Sequence, residues 1–239
     1  MTAASDTPTI GVLAGLGPRA GAHFYNRLVT LTPAKADEEH PRTILVSDPR
    51  VPSRLAHFRG LGPSPAPRLR ELAQMLVSVG ADVLVLTSVT THAHLDEIAA
   101  AVDVPVVNGL AATAEALAAA GRSRPAFLVT RACAEMRLLD PYLPASMKPL
   151  YPDPATQDAI ETLVEDTKRG LDVTELRRRL TELADRPWAD GRDCVVVACT
   201  DLAPVAPLAD DVVNIADVLA RAALVQLGSF DDLATLGVV

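Results

Sequence analysis

Short apolar runs alternate with longer amphipathic or Ala-rich stretches along most of the chain. Ile10–Ala14 is an apolar run that stops at Gly15-Leu16-Gly17-Pro18. Pro18 suits the first turn of a helix, where its missing N–H costs nothing, and the spacing predicts a helix to about Leu31. Thr43–Ser47 reads as a second strand. Asp48–Gly62 reads as polar and irregular, punctuated by Pro49, Pro52 and Gly62. Leu69, Leu72, Ala73, Leu76 and Val79 fall at helical spacing and predict a helix over Ala66–Val79, stopped by Gly80. Next come a strand over Asp82–Thr87, a helix over His92–Val102, a strand over Val104–Val107 and an Ala-rich helix over Leu110–Ala120. The pattern then restarts: a strand at Ala126–Thr130, a helix near Ala132–Leu139 and a Pro-punctuated connection over Pro141–Pro152. Helices over Ala155–Arg169 and Val173–Ala184 precede a strand at Cys194–Ala198. Asn214 is placed to cap a last helix, Ala216–Leu227, and the final dozen residues read as a tail.

Continuous apolar strands between helices indicate parallel strands buried on both faces. The strand-turn start occurs at Ile10 and again at Ala126, which is a weak internal repeat at about half the chain length. The expected fold is α/β, with two pseudo-symmetric parallel-sheet lobes and an interdomain active-site cleft. Residues 8–112 form the first lobe, completed by a C-terminal helix within 212–228; residues 113–211 form the second, and 229–239 the tail. Ligands of such sheets bind at the carboxyl ends of the strands.

The composition narrows the partners. With 239 residues and 49% hydrophobic, the chain can bury a sizeable core, and with 3% aromatics that core is aliphatic. A net charge of −8 with no basic stripe excludes nucleic acid. No apolar stretch approaches the roughly 20 residues of a membrane span. Cys133, Cys194 and Cys199 make no disulfide framework, and Met1–Thr9 has no signal pattern, so the expected location is cytoplasmic.

Two segments carry candidate chemistry. Val83–Leu86 leads into Thr87-Ser88-Val89-Thr90-Thr91-His92, and Cys194–Ala198 leads into Cys199-Thr200-Asp201-Leu202. Each apolar run stops at a small nucleophile-type residue with Thr close behind. Two such strand ends facing across a cleft would place one acid/base group on each side of a small substrate. Cys199 differs from Cys194, which lies inside a strand as a small hydrophobe, and from Cys133, read as structural. A helix expected to start just beyond Cys199 would lower its thiol pKa. Ser88 is an ordinary loop residue or a proton donor, since an unassisted hydroxyl is a poor base and no Gly-x-Ser-x-Gly surrounds it. His92 could cap, pack or activate. His92, His94 and Asp96 do not suit a metal, because two residues of separation on a helix point to different faces. Gly15-x-Gly17-x-x-Ala20 loosely fits a dinucleotide fingerprint, but Pro18 removes an amide and no strand precedes Asp37 and Glu38. Gly17, at a helix N-terminus, suits a small carboxylate better. A dinucleotide role is therefore discounted, and no metal is expected.

These residues, in this order, resemble the aspartate/glutamate racemase superfamily over about Ile10 to Leu227. Ile10–Pro18 is similar to that family's opening GVLGGMGP. Asp37–His40 and Ser47–Arg54 resemble its DQEH and S-D/N-P-x-I-P-D-R segments. Thr87–His92 sits where the family has P-C-N-T-x-H, and Ala198–Leu202 resembles G-C-T-E-L. The resemblance implies a cofactor-free mechanism in which one cysteine removes an α-proton and another delivers a proton to the opposite face. Cys199 matches the second catalytic cysteine. Thr90 and Thr200 match binders of the substrate carboxylate, with Thr91 beside Thr90. Arg54 and Lys168 match positions that hold a distal carboxylate, and His92 matches the motif histidine. The implied partner is a small carboxylate or amino acid, and the implied assembly a homodimer.

This chain departs from that pattern at Ser88, where the first cysteine is expected, and at Val89, where an Asn is expected. Three readings are open. One is a racemase or epimerase acting on an acidic amino acid or a relative. The second is a one-cysteine lyase, a malonate-type decarboxylase or an eliminating enzyme. The third is a catalytically silent ligand-binding protein, which the retention of Cys199, Thr200, Arg54 and Lys168 disfavours.

Overall fold

The computed structural model describes residues 8–207 and 209–228. Strand β1 (Thr9–Ala14) leads through Gly15–Gly17 into α1 (Pro18–Leu31), succeeded by β2 (Arg42–Ser47), α2 (Arg54–Phe58), α3 (Ala66–Ser78) and β3 (Val83–Leu86). A 3₁₀ segment (Val89–His94), α4 (Leu95–Ala99) and α5 (Gly109–Ala119) complete the first half. The second half runs β4 (Pro125–Leu128), α6 (Arg131–Met136), α7 (Pro154–Arg169), α8 (Val173–Ala184), β5 (Cys194–Val197), β6 (Val212–Asn214) and α9 (Ile215–Gln226).

The strands form two three-stranded sheets, ordered β2-β1-β3 and β4-β5-β6, with every pairing parallel. This is the two-lobed α/β fold expected from the apolar runs. β1, β3, β4 and β5 are buried along their whole length, as continuous Val/Leu/Ile/Ala runs require, whereas the edge strand β2 is partly exposed. Register pairs Leu13 with Leu86 and Leu128 with Val197. Ser88 and Cys199 therefore lie just beyond corresponding strand ends, one in each sheet.

One apolar cluster runs through both sheets. It joins Phe24 and Leu28 of α1, Val83 and Val85 of β3, Phe127 of β4, Val196 of β5 and the inner face of α9. Arg27 adds a two-pronged ion pair from α1 to Asp217 of α9, with Nε–Oδ1 at 2.6 Å and Nη2–Oδ2 at 3.0 Å. Two further clusters fill the outer sides of the sheets, around Leu69, Leu72 and Leu76 in one lobe and Ile160, Leu163 and Leu180 in the other.

Several local expectations need correction. The stretch Asp48–Gly62 is not wholly irregular, because Ser53 caps α2: its Oγ accepts from the Ala56 N–H at 3.2 Å. The strand expected at Val104–Val107 shrinks to a single bridge, Leu84 with Val106. Pro105 has no N–H to extend a ladder. The helix expected over His92–Val102 begins as a 3₁₀ turn at Val89, and its α-helical part ends at Ala99. β6 lies outside the expected strands, since three residues after an acidic pair carry too short an apolar signal. The expected tail, 229–239, lies outside the described residues.

The β1–α1 turn is sterically exacting. Gly15 has φ +101°, and a Cβ there would stand 2.3 Å from the Asp48 backbone nitrogen. That nitrogen donates to the Ala14 carbonyl at 3.2 Å. Gly15→Ala is expected to lower stability in urea by about 1–3 kcal/mol from backbone strain alone. An unchanged denaturation midpoint would show that the turn adapts without cost.

Candidate active site

A cavity of about 250 Å³ opens at the carboxyl ends of the strands. Ser88 and Thr90 enter it from the segment after β3, Cys199, Thr200 and Asp201 from the turn after β5, Leu16 from the β1–α1 turn and Thr130 from the end of β4. Ser53 and Arg54 at the start of α2 and Glu161 and Lys168 of α7 complete its polar lining. A larger cavity, about 460 Å³, lies between α1, α8 and α9 and contains neither Ser88 nor Cys199.

The wall after β3 is fixed through its backbone. The Ser88 carbonyl accepts from the Thr91 N–H at 3.1 Å and the Thr91 hydroxyl at 2.5 Å, and the His92 Nδ1 lies 3.2 Å away. The His92 Nε2 accepts the Gly109 N–H at 3.1 Å, so Nδ1 carries the ring proton and donates to Ser88. Burial lowers the His92 pKa to about 4, against the pull of its carbonyl partners. The ring is therefore neutral, with both nitrogens engaged. His92 and Thr91 stand behind the cavity wall and do not line it. They hold Ser88 in place, and Gly109 permits the close approach, since a Cβ there would meet Leu219 at 2.3 Å and the His92 Nε2 at 3.2 Å.

Inside the cavity, the Arg54 Nε donates to the Thr90 Oγ1 at 3.2 Å, and the Thr90 Oγ1 lies 3.2 Å from the Ser88 Oγ. Thr90 accepts from the cation, which leaves its own proton free for Ser88. Burial lowers the Arg54 pKa while Asp201 opposes this, and a guanidinium remains charged in either case.

The wall after β5 holds Cys199, almost fully buried. Burial pushes its thiol pKa up, and the nearby Asp201 adds to the shift. The backbone N–H groups of Leu202 and Asp201 and the charge of Lys168 act in the opposite direction. The expected lowering by a helix N-terminus is thus overturned: the chain beyond Cys199 forms a turn and a one-turn 3₁₀ segment, Ala203–Val205, not an α-helix. Cys199 rests as a thiol.

Asp201 is the residue that sequence reasoning passed over in the Cys-Thr-Asp motif. It is buried, and its Oδ2 pairs with the Lys168 Nζ at 3.2 Å. Burial raises its pKa, while Lys168 and then Arg54 lower it. Its Oδ1 is buried with no hydrogen-bond partner among the described residues and faces Gly17, where a Cβ would come within 2.6 Å. Gly17 does not line the cavity. The small-anion place expected at Gly17 is filled by the protein's own carboxylate.

Glu161 and Thr130 also escaped the sequence reading. Thr130 caps α6, its Oγ1 accepting from the Cys133 N–H. Glu161 lies seven residues before Lys168 on α7, and an i, i+7 pair of opposite charges on one helix face was the available signal. The cavity thus carries two cations, Arg54 and Lys168, and two carboxylates, Asp201 and Glu161. Among the described residues, no group of three or more His, Cys, Asp or Glu side chains is arranged to hold a metal. No helix among them is long and apolar enough to cross a membrane.

Solved structures share this architecture. An aspartate racemase from Picrophilus torridus superposes with a TM-score of 0.80 at 23% identity, covering 92% of this chain and 94% of that one. An aspartate racemase homologue from Pyrococcus horikoshii OT3 gives 0.70 at 19% identity, covering 93% and 99%. Arylmalonate decarboxylase gives 0.53 at 16% identity, covering 92% and 93%. At these identities the likeness establishes the fold. The model of one family, described as Asp/Glu/Hydantoin racemase, matches residues 13–227, nearly the whole chain, and the protein belongs to that family.

Proposed function

We propose that the protein is a cofactor-independent racemase or epimerase acting at the α-carbon of an acidic amino acid or a close relative. The observation that carries this reading is the convergence of Ser88 and Cys199, from the strand ends of two different sheets, on one small cavity lined by cations and hydroxyls. Cys199 exchanges a proton with one face of the α-carbon. Ser88, set beside Thr90 and through it Arg54, exchanges a proton with the other. The carbanion is conjugated with the α-carboxylate, so donors on that carboxylate lower the barrier. In this reading Thr90 and Thr200 serve as these donors, while Arg54 and Lys168 hold a second carboxylate. Val89 supplies no amide there, so the hydroxyls bear more of the load.

The two directions are unequal. From one enantiomer the base is Cys199, which must first lose its proton. From the other it is Ser88, whose hydroxyl is a much weaker acid than a thiol. The resting thiol also suits the runner-up reading, a decarboxylase in which loss of CO2 leaves a carbanion and Cys199 protonates it. Cys199 is already in the donor form that this reaction needs.

Proton NMR in D2O distinguishes these readings. A racemase exchanges the α-proton of aspartate or glutamate with solvent; a decarboxylase releases CO2 from a substituted malonate. Cys199→Ala is expected to reduce either reaction by about 10²–10⁴-fold with the fold retained. Full activity in that variant excludes the role.

Wash-in that depends on thiolate should rise with pH between about 7 and 9, because a raised thiol pKa means that base forms only as protons are withdrawn. Wash-in that falls over this range would place another base at the carbon. Ser88→Cys is expected to speed exchange from the slower enantiomer, since a thiol pKa of about 8.5 lies far closer to neutrality. Equal wash-in for wild type and variant from both enantiomers would remove Ser88 from the reacting carbon.

A further inference from the structure

We infer that Glu161 selects for an amino group on the ligand, receiving its ammonium while Lys168 and Arg54 receive carboxylate. This rests on the reading of the cleft cavity as the substrate site, and it gives that site a residue whose task is to tell an amino acid from a plain dicarboxylate.

Glu161 is an anchored carboxylate with one oxygen to spare. Its Oε1 accepts from the Arg131 N–H at 2.6 Å and from the Gln157 Nε2 at 3.1 Å. Gln157 is itself buried and held by a second bond from Nε2 to the Val129 carbonyl at 2.9 Å. These bonds fix the rotamer and use only Oε1. Among the described residues Oε2 has no hydrogen-bond partner, and Glu161 lines the cavity.

Among the described residues, no cation claims this charge. The Arg131 guanidinium pairs with Asp158, and Lys168 pairs with Asp201. Arg54 bonds to Thr90 and to the Pro52 carbonyl. The helix dipole does not account for Glu161 either: the residue sits midway along α7, beyond the first turn where a carboxylate gains from the N-terminus. Lys168, by contrast, lies in the last turn. Glu161 is half-buried, so water meets Oε2 while the cavity is empty, and a ligand that displaces this water must bring a donor to replace it, which an ammonium does and a carboxylate does not.

The spacing supplies the remaining argument. Glu161 and Lys168 are seven residues apart, two helical turns, so they share a face and stand about 10 Å apart along the axis. An acidic amino acid lying along α7 meets a negative charge at its amino end and a positive one at its distal carboxylate. A dicarboxylate of equal length without the amino group leaves Oε2 unpaired and sets like charges together.

Calorimetric titration of aspartate against succinate, and of glutamate against glutarate, tests this through binding. Wild type is expected to prefer the amino member of at least one pair by about tenfold or more. Glu161→Gln should weaken amino-acid binding by about tenfold to a hundredfold. The desamino partner should bind as before or more tightly, and the loss should fall on KM more than on kcat. Glu161→Asp keeps the charge on a shorter stem and should retain part of the preference; it carries the test if the Gln variant does not fold. The proposal is overturned by a wild type with no preference or no binding, by an unchanged preference in the Gln variant, or by parallel loss of both ligands. Absence of α-proton exchange in wild type, with the preference still switching at residue 161, would instead sink the racemase reading and leave Glu161 as the selector of a binding site.

Discussion

The cleft depends on two sheets sharing one apolar core. Ser88 and Cys199 belong to different sheets, yet α1, β3, β4, β5 and α9 contribute to a single buried cluster. Aliphatic interiors are close-packed and resist small displacements, so the strand ends that the cluster supports are held in one relative position. The Arg27–Asp217 pair reinforces the α1–α9 junction at its edge. A site built on strand ends inherits this rigidity, whereas one built on free loops would not.

Electrostatic order is layered over that frame. The groups nearest the chemistry are held by neutral contacts: His92 stays uncharged, and Thr91 and His92 grip the Ser88 carbonyl. The charges are engaged across elements, Arg54 with Thr90 and Lys168 with Asp201. Removing an ion from water costs several kcal/mol unless a partner compensates, which accounts for Asp201 being found with Lys168. Its Oδ1, which faces Gly17 and has no hydrogen-bond partner among the described residues, keeps part of that cost in place.

Much of this was legible in the sequence, for physical reasons. Period and punctuation revealed the buried parallel strands and most helices, because a strand covered on both faces has no choice but to be apolar throughout. The segments ending in Ser88 and Cys199 were visible for the same reason: polarity returns abruptly where the strand ends. Direction and burial are a different matter, because both depend on neighbours that are distant in the chain. Sequence could not separate His92, turned inward with both nitrogens engaged, from a histidine facing the cavity. It misjudged the thiol of Cys199 because the element after it is a tight turn. Glu161 stands in no compact motif and becomes visible only once α7 has a face. β6 is three residues long, and its identity as a strand comes from its neighbour β5.

The meeting of a serine with a single thiol also bears on how such a cleft withstands oxidants. Two thiols converging on one cavity can close into a disulfide, and both groups are then lost in one event. With Ser88 beyond the other strand end, Cys199 has no thiol neighbour in the cavity among the described residues. Its resting protonated form further slows attack by peroxide, since the thiolate is the reactive species. Among the described residues, the cleft thus holds a single sulfur, in the protonated form that resists oxidation.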